Sequence, residues 1–228
     1  MTVDLSGKDL SKADFREADL IGANLSGAIL IGADLIGADL SKANFREANL
    51  TEACMIGVNL AEANLCLANL TRVKLNRANM IDADLVRADL IEANLVGAIL
   101  VRFDPNNESV SMANLLEANL ARADLHGSFL SKADLVGVNL SEANLRGANL
   151  SNASLYHANL RRADLTGANL TGANLKKADL REAYLSQANL YGAQLNEANL
   201  LGANVSDNQL NMARSLKRAI MPDGTRHK

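Results

Sequence analysis

The chain has 228 residues, 48% of them hydrophobic, with no Trp, three Tyr and four Phe, and a formal net charge of -3. That apolar content is enough for a buried core and excludes a disordered chain, while the core must be filled by small and medium aliphatic groups. Lys and Arg are scattered among Asp and Glu, which argues against a polybasic nucleic-acid or anionic-membrane binder.

From the N-terminus onward one unit repeats, as in IGADLIGADL at residues 31–40. A period of five suits neither a helix, where it turns each Leu about 140° from the last, nor a flat strand, where an odd step reverses the face. With pentads closed at multiples of five, Leu closes 35 of the 42 pentads through Leu210. Ala stands two residues earlier in 33, and Asp or Asn between them in 32. Ala and Leu, two apart, face the same way in extended backbone. The next Ala is three residues on, so the chain turns a corner in every pentad and winds into a coil. Phe15, Phe45, Met55, Met80, Val110 and Val205 are core-compatible replacements for Leu, and Pro105 breaks the rule.

Charges set the number of pentads in a coil, because residues one coil apart behave as cross-strand neighbours. At a step of 20, Glu52, Arg72 and Glu92 alternate in sign, as do Arg122, Glu142, Arg162 and Glu182, with Arg161 above Arg181 as a counterexample. Four pentads therefore make one coil. A-(D/N)-L-x-x over nearly the whole chain resembles the pentapeptide repeat family. The resemblance implies an all-β fold, a right-handed quadrilateral β-helix, here of about ten coils over residues 1–205.

VRFDPNNESV, residues 101–110, keeps the length of two pentads and loses their content, so it is expected to be an extruded loop. Extrusion stacks residue 92 on 122, merges the two charge runs, and sets Ile99 against Phe129 as a floor for the loop. Phe103, Asp104, Pro105, Asn106, Asn107 and Glu108 form a candidate binding loop. Lys8, at an inward position, reads as a charge that discourages edge pairing in the first coil. The pattern stops at Ser206, where Ser-x-x-Gln predicts a helix start, and Leu216, Ala219 and Met221 predict one last pentad before Pro222-Asp223-Gly224. Residues 206–228 thus form a C-terminal cap with a short helix, and their Met-Pro-Asp-Gly ending resembles the tails of cyanobacterial members of the family.

No catalytic residue, cofactor site or metal site is expected: His126, His157 and His227 are isolated, and the aspartates stand at repeat positions. Cys54 and Cys66 fall on different coils, so reduced thiols are expected. The absence of a signal-like start and of a long apolar span leads to the expectation of a cytoplasmic protein without membrane or nucleic-acid contacts. The expected function is a non-catalytic scaffold that presents flat faces to a protein partner, as a monomer or with weak self-association. The candidate surface is the corner Ile36-Gly37, Ile56-Gly57 and Val96-Gly97, interrupted by Asn76-Arg77 and continued by His126, Arg146 and Thr166. The alternative comes from the resemblance: some family members imitate duplex DNA and shield DNA gyrase from quinolones, and Asp9, Asp14, Glu17, Asp19, Asp34 and Asp39 make the first coils acidic.

Overall fold

The computed structural model describes residues 2–103 and 110–228. The pentad Ala33–Gly37 shows why this unit builds a coil. Ala33 and Leu35 are fully buried, and the residues between and after them face outward. The Asp34 N–H donates to the Ala13 carbonyl one coil back at 2.9 Å, while Leu35 and Gly37 donate one coil forward, to Cys54 at 2.7 Å and Ile56 at 3.0 Å. The Ala38 N–H closes the corner on the Leu35 carbonyl at 3.1 Å. Only the Ile36 N–H is left, and it donates to Asp34 Oδ1 at 3.2 Å. The Asp or Asn of the repeat thus satisfies the one amide that the neighbouring coils cannot reach.

The second corner residue has positive φ throughout, +66° at Gly37 and +60° at Leu67, as a turn with that position left-handed demands. Glycine suits it without penalty. Leu67 and the many Glu, Arg and Lys residues there each cost about 1 kcal/mol or more, offset by the ladders above and below.

Parallel bridges join residues 20 apart, as in Asp39↔Asn59↔Asn79, and define four sides. The step becomes 30 on each side in turn, at Asp84↔Asn114, Asp89↔Asn119, Asn94↔Asp124 and Ile99↔Phe129, and then returns to 20. The ten-residue skip is therefore present. Its form differs from a plain loop. Strand β1 (Val101–Phe103) pairs antiparallel with β2 (Val110–Met112), in register Val101↔Met112. The Ala113 N–H donates to the Leu100 carbonyl at 2.7 Å, the same bond that closes an ordinary corner. Residues 101–112 therefore take the place of a two-residue corner, and the excursion ends two residues later than the sequence boundary suggested. Asp104, Pro105, Asn106, Asn107 and Glu108 lie outside the described residues.

The core is a stack of Leu and Ala into which Phe45, Met55 and Met80 fit with no exposure. Leu5, Leu10 and Phe15 are half-buried, and Lys8, although in the inward column, is exposed. Helix α1 (Asp207–Asn211) starts at Ser206 with the reciprocal Ser206–Gln209 capping box. Gln209 Nε2 also donates to the carbonyls of Leu185 at 2.6 Å and Ala188 at 2.9 Å, partners that a further coil would otherwise supply. The pentad pattern then resumes at a step of 21, Gln194↔Ser215 and Asn199↔Ile220, with Ala219 buried and Leu216 and Met221 half-buried. Ile220 pairs in turn with Arg226, antiparallel. Among the described residues, no helix is long and apolar enough to cross a membrane.

Candidate interaction surface

The structure brings the predicted corner together. The Gly37 N–H donates to the Ile56 carbonyl at 3.0 Å, Gly57 to Asn76 at 2.9 Å and Arg77 to Val96 at 3.0 Å, so the four corners stack in consecutive coils. Ile36 and Ile56 are 37% and 36% exposed, whereas Val96 is half-buried. A Cβ at Gly57 would meet nothing within 4 Å, so the glycine answers to its φ of +66° and leaves the corner without a side chain. Gly37 and Gly97 are different. Glu17 Cγ and Arg77 Cγ each lie 3.6 Å from the position that the respective Cβ would take, so long side-chain stems cover two of the three glycines that the sequence pattern suggested were bare.

Ile99 and Phe129 are paired, as the skip requires, and stand 42% and 57% exposed on the side next to this corner. Neither can accept a corner amide, which is why they stand out in a column otherwise carried by Asp and Asn. Beneath them the Ser128 hydroxyl is buried without a hydrogen-bond partner. Phe103 is paired with Val110 in the backbone of β1 and β2.

On another corner six of the seven alternating charges form three ion pairs. Arg72 meets Glu52 at 2.7 Å, Arg122 meets Glu92 at 3.1 Å, and Arg162 meets Glu182 at 2.6 Å. The stacked Arg161 and Arg181 avoid each other: Arg161 reaches Glu182 at 3.0 Å and Arg181 turns to Asp179. Glu182, bonded first by Arg162 and then by Arg161, is held below the usual carboxylate range. Near the N-terminus, bonds from the Arg16 side chain and then its backbone amide hold Asp14 at about 2.

Cys54 and Cys66 are free. Burial, and then a bond to Asp84, pushes the Cys66 thiol up to about 11. Among the described residues, no group of three or more His, Cys, Asp or Glu side chains could hold a metal ion.

One outward feature escaped sequence reasoning. On the corner numbered 66/67 in its coil, apolar residues recur in five consecutive coils: Cys66, Val86, Leu116, Val136 and Tyr156. The signal was present in the same 20- and 30-residue steps, but at positions where neither charge nor glycine drew attention.

These features define a four-sided parallel β-helix with outward corners and a filled interior. The family model for pentapeptide repeats matches in eight copies, over residues 3–30, 28–65, 68–104, 111–141, 133–172 and 173–207. The chain belongs to the pentapeptide repeat family, whose members adopt the right-handed quadrilateral β-helix. Among solved structures it is similar to HetL, a pentapeptide repeat protein involved in heterocyst differentiation regulation from the cyanobacterium Nostoc sp. strain PCC 7120. The two share 36% identity over 98% of this chain and 93% of HetL, with a TM-score of 0.60. It is also similar to full-length QnrB1, a plasmid-mediated fluoroquinolone resistance protein, at 17% identity over 98% and 93% of the chains and a TM-score of 0.43. Rfr23, from the cyanobacterium Cyanothece 51142, matches at 31% identity over 54% of this chain and 60% of its own, with a TM-score of 0.24. No curated protein matches the chain.

Proposed function

We propose that this chain is a non-catalytic, regulatory protein-binding scaffold. It is a stiff β-helix over residues 1–205, of about ten coils at roughly 4.8 Å each, with residues 206–228 and α1 as its C-terminal cap. The observation that carries the reading is the Ile36 and Ile56 corner, where exposed apolar side chains recur in adjacent coils beside the open backbone of Gly57. A partner surface can approach such a corner closely and bury the isoleucines. The likeness to HetL, a pentapeptide repeat protein involved in heterocyst differentiation regulation, supports a regulatory role.

The test replaces Ile36 and Ile56 together with Lys. Both side chains point outward, so the fold should be retained, and at least one protein captured from the native cell by the unmodified chain should be lost. Capture of the same set by both proteins would remove this corner from consideration. Imitation of DNA is the weaker reading, because arginine pairs with three of the four glutamates of the charged corner, Glu52, Glu92 and Glu182. The purified chain should leave gyrase supercoiling unchanged.

A further inference from the structure

We propose that the corner carrying Val86, Leu116, Val136 and Tyr156 is a docking ridge for an amphipathic α-helix of a partner protein, apolar along the ridge and acidic beyond its C-terminal side. The proposal rests on the reading of the chain as a protein-binding scaffold but uses a different corner from Ile36 and Ile56.

Backbone bonds establish the ridge. Leu67 N–H donates to the Val86 carbonyl at 3.1 Å, Arg87 to Leu116 at 3.1 Å, Gly137 to Tyr156 at 3.0 Å, and His157 to Lys176 at 3.1 Å. The bridge Asn119↔Asn139 sets the coil of Val136 directly after that of Leu116. Five successive coils thus place an apolar side chain at a position that elsewhere often carries Ser, Thr, Arg or Lys. Leu116 is 37% exposed and the others are half-buried, with Leu67 at 40% widening the first coil. Within this stretch the charges are self-satisfied, Arg87 lying 3.7 Å from Glu117.

Spacing selects the occupant. Coils repeat every 4.8 Å or so, and four intervals span roughly 19 Å. Four turns of an α-helix span about 22 Å, within reach of side-chain adjustment. An extended strand, whose same-side residues repeat at about 6.7 Å, would drift some 8 Å out of step over the same four intervals. A helix with residues at i, i+4, i+7, i+11 and i+14 therefore lies along the ridge in register.

Charge orients that helix. Beyond Tyr156 the corner continues through Lys176-Lys177, Asn196-Glu197 and Lys217-Arg218, joined by bonds from Lys177 to Asn196 and from Glu197 to Lys217, each 2.9 Å. Four cations face one carboxylate. The Lys177 ammonium also lies 5.7 Å from the centre of the Tyr156 ring, so the apolar and basic parts adjoin. The opposite end is already neutralised by the Arg46–Glu47 pair at 3.1 Å. An acidic segment belongs over the lysines. A basic, apolar surface could also meet an anionic bilayer, but insertion favours protruding side chains, and four of these five are half-buried.

The probe is a labelled synthetic helix of about 18 residues, with a leucine stripe and glutamates in its first turns, titrated with the full chain by fluorescence anisotropy. Binding is expected with Kd in the tens of micromolar at low salt. Leu116→Glu with Val136→Glu should weaken it by about tenfold or more, and Lys176→Glu with Lys177→Glu by a similar factor. A peptide with lysines in place of the glutamates should recover affinity for the Lys176→Glu, Lys177→Glu chain, a rescue that general destabilisation cannot produce. Ile36→Lys with Ile56→Lys should change nothing, which separates this ridge from the corner above. Absence of binding, equal loss in the Ile36 and Ile56 variant, or ridge-dependent co-sedimentation with phosphatidylserine vesicles in place of peptide binding would overturn the proposal.

Discussion

Arg122 Nη2 lies 3.1 Å from Glu92 Oε1 although 30 residues separate them in the chain. Elsewhere on the same corner the step is 20, as between Glu52 and Arg72 at 2.7 Å. The contact exists because β1 and β2 leave the solenoid and return it to the same corner. It therefore reports the register of the two halves.

Arg122→Glu should lower stability slightly, and adding Glu92→Arg should restore part of the loss. Both side chains are about half exposed, so the coupling should be roughly 0.2 to 1 kcal/mol and shrink as salt is added. A double-mutant cycle by urea denaturation measures it.

Deleting residues 101–110 should leave a folded β-helix, because Ser111 and Met112 then become an ordinary two-residue corner between Leu100 and Ala113. Met112 would occupy the left-handed position, at a cost of about 1 kcal/mol, and Met112→Gly in the shortened chain should recover most of it. Circular dichroism tests the fold, and the thermal midpoint tests the recovery.

Asn59 sits within a ladder of side chains. Its Oδ1 accepts from the Ala61 amide at 3.2 Å and from Asn79 at 3.0 Å, and its Nδ2 donates to Asp39 at 3.0 Å. Asn59→Ala removes all three bonds at a half-buried site and should destabilise by about 1 to 3 kcal/mol. Asn59→Asp keeps the acceptor but faces Asp39, so it should be milder at pH 3 than at pH 7. Chemical denaturation at the two pH values separates the lost bonds from the added charge.

Cys66 should resist alkylation until strongly alkaline pH, because burial favours its neutral thiol. The folded value of about 11 lies above the unfolded one of about 9. The stabilisation from keeping this thiol protonated is thus complete below pH 9 and is lost as pH rises from 9 towards 11. In a Cys54→Ser background, the rate of iodoacetamide reaction should rise with a midpoint near 11 in the folded chain and near 9 in urea.

The inward path of the chain was legible in the residues themselves. Ala and Leu two apart with a polar residue between them admit one local geometry, and repetition at five turns it into a coil. The 20-residue step, the skip at residues 101–110 and the helix start at Ser206 were legible too, since a rigid repeat makes sequence distance a measure of spatial distance, whereas the handedness and the four-sided section came from the family resemblance. The extent of the excursion was not. Ser111 and Met112 belong to it because Ala113 closes on Leu100, and that bond depends on where the two coils meet.

Surface detail also waited on the tertiary structure. Alternating signs along a corner do not say which neighbour an arginine chooses: Arg162 takes Glu182, and Arg181 takes Asp179. Long side chains select among acceptors by local packing that no period encodes. The same freedom lets Arg77 lie across Gly97 and interrupt a corner that looked bare in sequence. A solenoid's core is decided locally, by which face each residue must bury; its surface is decided by contacts between coils 20 or 30 residues apart, where several partners compete for each side chain.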